Sequence, residues 1–93
     1  MIAAQDVAFL PRGVRTHKDK VRSADVLLGP ERVLVLDQIG LAILSRLDGV
    51  VSVAEISEDL AKTFAAPRDV IEPDVIEYLT DLRDKGLVHV RQD

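Results

Sequence analysis

Apolar residues follow two periods along this chain. Between Val14 and Leu36 they fall in short β-branched runs, "VRTHKDKV", "DVLL" and "RVLVL", with breaks at Arg22-Ser23-Ala24 and Gly29-Pro30. Alternation bounded by turn residues predicts a three-stranded antiparallel meander. After Asp37 the spacing lengthens to between three and four. Asp37 is placed to cap a first helix with the stripe Ile39, Ile43, Leu44 and Leu47, ending at Asp48-Gly49. A second helix is marked by Ser52 and Glu55 as an S-x-x-E capping box, by Val51 and Ile56 at staple positions, and by Ile56, Leu60 and Phe64. The third helix begins between Asp69 and Pro73, because Asp69 could cap it whereas proline is best tolerated in a first turn. It ends at Gly86, which can adopt the left-handed conformation and let Leu87 fold back on Leu82. A short strand, Leu87 to Val90, follows. The predicted fold class is α+β, winged helix-turn-helix-like, with a three-stranded antiparallel sheet followed by three helices. Residues 1–10 are expected to be a flexible N-terminus and residues 11–93 a single domain.

Size and charge narrow the function. Ninety-three residues with no cysteine and 47% hydrophobic content suit one core held by packing alone. The apolar runs are far below the roughly 20 residues that span a bilayer. The start "MIAAQDVAFLPRG" lacks the positive, then apolar, layout of a secretory signal. A cytoplasmic protein with no membrane role is expected. Charge is uneven: residues 1–32 carry six Lys/Arg against four acids, whereas residues 33–93 carry six against twelve. The cations Arg12, Arg15, Lys18, Lys20, Arg22 and Arg32 form either a solvated strand face or a patch that steers an acidic ligand.

The helix-turn-helix layout raises the reading of a winged-helix DNA-binding transcriptional regulator, whose third helix would reach the bases. Here that helix carries Glu72, Asp74, Glu77, Asp81 and Asp84 against Arg83 and Lys85, a charge that repels a polyanion, so no nucleic-acid partner is expected. Catalysis also lacks a site. His17 and His89 fall in different predicted strands without a cysteine or a spaced carboxylate pair, Ser52 is accounted for as a cap, and no phosphate-binding glycine loop is present. The chain is read as a non-enzyme with no cofactor and no metal.

A surface for another chain remains. The first strand of a meander and its last are both edges, and edges are ordinarily guarded by charge or proline. Arg15, Lys18, Asp19 and Lys20 guard the first, while Val33-Leu34-Val35-Leu36 carries neither. On the residues alone two readings stay open: a strand buried on both faces as core, or an edge to which a peptide adds as a fourth strand. An unguarded edge also leaves open a homodimer.

The run "VLLGPERVLVLD", then "ILSRLDG", "SVAEI" and "DVIEYLTDLRDKGLV", resembles the PqqD family of pyrroloquinoline quinone biosynthesis, over roughly Phe9 to Val90. Where that family often has an aromatic before Leu27-Leu28, this chain has Asp25-Val26. The resemblance implies a peptide chaperone and recognition element for ribosomally made, modified peptides. It would bind the precursor peptide PqqA and present it to the radical SAM enzyme PqqE, which joins a glutamate and a tyrosine of that peptide by a carbon–carbon bond. Carried onto this sequence, the resemblance implies a peptide site at Arg32, Val33, Leu34 and Val35 on the last strand of the meander, and at Val75, Tyr78, Leu79 and Leu82 on the third helix.

Overall fold

The computed structural model describes residues 1–91. Eight elements follow one another: β1 (Ala8–Phe9), β2 (Arg15–Asp19), β3 (Ala24–Leu28), β4 (Val33–Leu36), α1 (Gln38–Leu44), α2 (Val53–Thr63), α3 (Arg68–Asp84) and β5 (His89–Val90). The meander forms as its turns require. Strands β2, β3 and β4 make an antiparallel sheet in that order, with Val26 opposite both His17 and Val35, and Leu27 opposite Leu34. At the β2–β3 tip, the Asp19 carboxylate accepts from the Val21 and Arg22 amides at 2.9 and 3.2 Å and pairs with the Arg22 guanidinium. The Arg22 amide above all, opposed by desolvation and helped by the Val21 amide and the guanidinium, holds the Asp19 carboxyl below its usual pKa. At the β3–β4 turn, the Gly29 N–H donates to the Arg32 carbonyl at 2.9 Å across Pro30-Glu31.

Asp37 caps α1 by accepting from the Gly40 N–H at 2.7 Å. Two expectations for this helix are corrected. It ends at Leu44, and Asp48 instead shapes the following loop by accepting from the Val50 and Val51 amides at 2.9 and 3.0 Å. Ile39 is not on the buried face, since it is 58% exposed; the buried side of α1 is Gly40, Ile43 and Leu44. A seven-residue helix has room for two turns of buried stripe, and the close fit of Gly40 takes the position that Ile39 was expected to hold.

The capping box of α2 forms in full, with Ser52 Oγ accepting from the Glu55 N–H and Glu55 Oε1 from the Ser52 N–H. Helix α3 begins one residue before the expected span of Asp69 to Pro73, and Asp69 does not cap it. It starts at Arg68 behind Pro67, with Pro73 inside it. Pro73 removes only one intrahelical donor, and the packing of the rest of the 17-residue helix outweighs it. Its C-terminus is a Schellman motif: the Leu87 N–H donates to the Leu82 carbonyl and the Gly86 N–H to the Arg83 carbonyl, both at 2.9 Å, with Gly86 at φ +78°. Leu82 and Leu87 are both buried, which completes the hydrophobic contact of that motif.

Residues 1–10 were expected to be flexible, and this too is corrected. Ile2 and Ala8 belong to the core, the Val53 and Ala54 amides donate to the Asp6 and Ala4 carbonyls, and β1 pairs antiparallel with β5. The segment carries its own apolar anchors, so docking it removes more apolar surface than a polar tail could. The core gathers Ile2, Ala8, Val14, Leu27, Leu36, Ile43, Leu44, Val53, Ile56, Leu60, Val75, Leu79, Leu82, Leu87 and Val88. Among the described residues no helix is long and apolar enough to cross a membrane.

Candidate functional site

Strand β4 is an edge of the three-stranded sheet. Its hydrogen-bonding sense follows from the turn that precedes it. Because Gly29 donates to Arg32, these two are a hydrogen-bonded pair, and in an antiparallel ladder such pairs alternate. In the register Leu28–Val33, Leu27–Leu34, Val26–Val35 and Asp25–Leu36, the inward-bonded residues of β4 are therefore Leu34 and Leu36. Val33 and Val35 direct their N–H and C=O groups away from β3, to the open side. Side chains alternate in step: Leu36 is buried and Leu34 half-buried against the core, while Val33 is 49% and Val35 65% exposed on the opposite face. Of the two readings left open by the residues alone, a strand buried on both faces is excluded.

Helix α3 runs beside this edge. A Cβ on Gly40, just after β4, would lie 2.6 Å from the Tyr78 hydroxyl oxygen, so the phenol lies directly against the first turn of α1. At the other end a depression of about 220 Å³ is shared by Pro30, Glu31 and Arg32 with Lys85, Gly86 and Leu87. From Tyr78 to Lys85 a helix advances about 10 Å, and the four residues of β4 span about 13 Å, so the last two turns of α3 flank the strand along its length. Tyr78 bounds the space between them at one end, and Leu34 is half-buried on the core side of the strand.

Three of the expected helix residues do not line it. Val75, Leu79 and Leu82 are at most 3% exposed and sit in the core. They are the i, i+4, i+7 stripe by which α3 packs, so their apolar side chains are used before any ligand arrives. Tyr78 alone among the four reaches the surface, half-buried, with Asp81 and Lys85 following it and joined to each other by an ion pair. Burial, and then the neighbouring Asp37 and Asp81 carboxylates, raise the Tyr78 pKa above its usual value near 10, so the ring is neutral at physiological pH. Its hydroxyl makes no hydrogen bond among the described residues. Arg32 is exposed where the edge begins. The role of Gly40 escapes sequence reading, because a glycine in a helix interior signals close approach without naming the neighbour.

The chain matches the family model of coenzyme PQQ synthesis protein D (PqqD) over residues 26–88. It is 47% identical over 89 residues to the PqqA binding protein of Xanthomonas campestris pv. campestris strain B100, covering 96% of this chain and 97% of that protein. The solution NMR structure of the PqqD truncation of Methylobacterium extorquens PqqCD, described as a functional, stand-alone recognition element for ribosomally synthesised and post-translationally modified peptides, is 38% identical. It superposes with a TM-score of 0.83 over 96% of this chain and 95% of that one. The crystal structure of PqqD from Xanthomonas campestris, 47% identical, gives a TM-score of 0.59 over 84% of this chain and 87% of that one.

Proposed function

This chain belongs to the PqqD family, and from that premise we propose that it is a peptide chaperone which binds a PqqA precursor peptide as a fourth strand on β4 and presents it to the radical SAM enzyme PqqE. The observation that carries the reading is the open side of β4, where Val33 and Val35 offer four main-chain groups with no partner in the sheet. An extended peptide satisfies such groups with its own backbone, and its alternate side chains enter the groove beside Leu34 and Tyr78. The domain lowers no barrier itself; a peptide held extended on a module that also contacts the enzyme gains effective concentration at the active site.

Titration of the isotope-labelled domain with synthetic PqqA precursor peptide tests the docking step. Amide shifts concentrated at Val33, Val35 and around Tyr78 are expected. Shifts confined to β2 or to the outer surface of α2 would refute the site. Reconstitution with PqqE then tests presentation: peptide cross-linking by the enzyme should require this domain in roughly stoichiometric amount.

A further inference from the structure

Building on the strand-addition reading above, we propose that the docked segment is recognised on both of its faces. The ligand class is then a run of at least three consecutive apolar residues, the outer two β-branched or aromatic, rather than an amphipathic alternating strand.

The outer face of the sheet carries the argument. Its cross-strand rows are Arg15–Leu28–Val33 and His17–Val26–Val35. Each row changes from polar on β2 to apolar on β3 and β4. On that face Val26 is 1% exposed although it lies outside the main core cluster, whereas His17 and Val35 on either side of it are exposed, Val35 at 65%. A layer stacked on the sheet would need its apolar centre on the middle strand. Here the uncovered apolar surface lies at the margin and is continuous with the open main-chain groups of Val33 and Val35, so the occupant that covers it comes from the side, as a strand.

Pairing geometry fixes which residues of that strand do so. The two peptide residues that exchange hydrogen bonds with Val33 and Val35 place their side chains on the outer face with those valines. The residue between them, opposite Leu34, turns into the groove towards α3. All three positions therefore meet apolar surface. Cross-strand pairs favour β-branched and aromatic partners at the outer two, and exposed apolar patches bordering a polar surface mark contact sites.

The test is the double variant Val33→Thr/Val35→Thr, titrated with synthetic PqqA precursor peptide by calorimetry. Threonine keeps the shape, the strand preference and the N–H groups, and changes only the outer surface, so the variant keeps the edge. Affinity about three- to tenfold weaker, with an unchanged amide spectrum elsewhere, is the expected result. Replacing single peptide residues by serine should then show three adjacent sensitive positions. Unchanged affinity, or peptide sensitivity only at alternate positions, overturns the two-faced reading; so does a variant that differs from the parent only in self-association by light scattering. Val35→Pro distinguishes the two levels: if it abolishes binding while the threonine pair does not, strand addition stands and two-faced recognition fails.

Discussion

Proline substitution at adjacent positions of β4 separates edge from ladder. Val35 directs its N–H to the open side, so Val35→Pro removes a donor that the folded domain does not use. The preceding residue is already extended, as a residue before proline prefers, and the fold should survive with a small change in stability. A docked peptide, however, loses one main-chain bond and is left with an unsatisfied carbonyl in a partly desolvated edge. That costs about 1–3 kcal/mol, or roughly five- to hundredfold in affinity. Leu34→Pro does the reverse. It removes the inward donor facing Leu27, in the middle of the β3–β4 ladder, and truncates a side chain packed on the core. Loss of a ladder bond together with two or more kcal/mol of packing, about 3–5 kcal/mol in all, is a large share of the stability of so small a domain. Calorimetric titration with PqqA peptide, thermal melts and amide spectra read the two effects independently. A folded Val35→Pro domain that binds as tightly as the parent, or a Leu34→Pro domain that melts like the parent, would refute the assignment of open and inward groups.

Two further substitutions test the supports of the site. Gly40→Ala gains helix propensity, up to about 1 kcal/mol, but its Cβ would stand 2.6 Å from the Tyr78 hydroxyl and 3.1 Å from Asp37 Oδ1; the melting temperature should change little while peptide affinity falls, and the fall should shrink in a Tyr78→Phe background, measured as a double-mutant cycle. Ser52→Ala removes the oxygen that caps α2, far from the groove, and should cost about 0.5–2 kcal/mol of stability by denaturant titration with peptide affinity unchanged.

Local rules made most of the fold legible. The capping box at Ser52, the cap at Asp37 and the Schellman ending at Gly86 each involve groups within five residues of one another, and each formed as its residue types demand. What escaped depends on contacts distant in sequence. Residues 1–10 look like a tail until Ile2 is found donating its N–H to Thr80 Oγ1 and burying its side chain in the core, a pairing across 78 positions. The candidate site divides in the same way. That Val33–Leu36 lacks the charge and proline that guard an edge is legible in the sequence, but its place at the sheet margin and the exposure of Val33 and Val35 decide between edge and core; on α3 sequence periodicity cannot say whether an apolar stripe faces the core or a ligand. Val75, Leu79 and Leu82 face the core, and Tyr78, with a polar tip on an apolar ring, stands at the boundary.

The charges then fall into a different arrangement from the one that their order along the chain suggests. Arg15 and Lys18 lie on β2, and Lys20 and Arg22 at its tip, so the cationic strand is the edge opposite β4, with β3 between them. Three strand spacings, about 14 Å, separate β2 from a strand docked on β4, beyond the screening length of about 10 Å at 0.1 M salt, and the cations on β2 act on a docked peptide only weakly. Arg32 is the one member of the basic run that reaches the groove, and it shares that end with Glu31. Towards Tyr78 the nearest charges are the Asp37 and Asp81 carboxylates, and Asp81 is already paired with Lys85. Along Val33–Leu36 itself there is no charged side chain. Selectivity there has to come from main-chain hydrogen bonds and apolar side chains, the interactions that Val33, Leu34 and Val35 are placed to make.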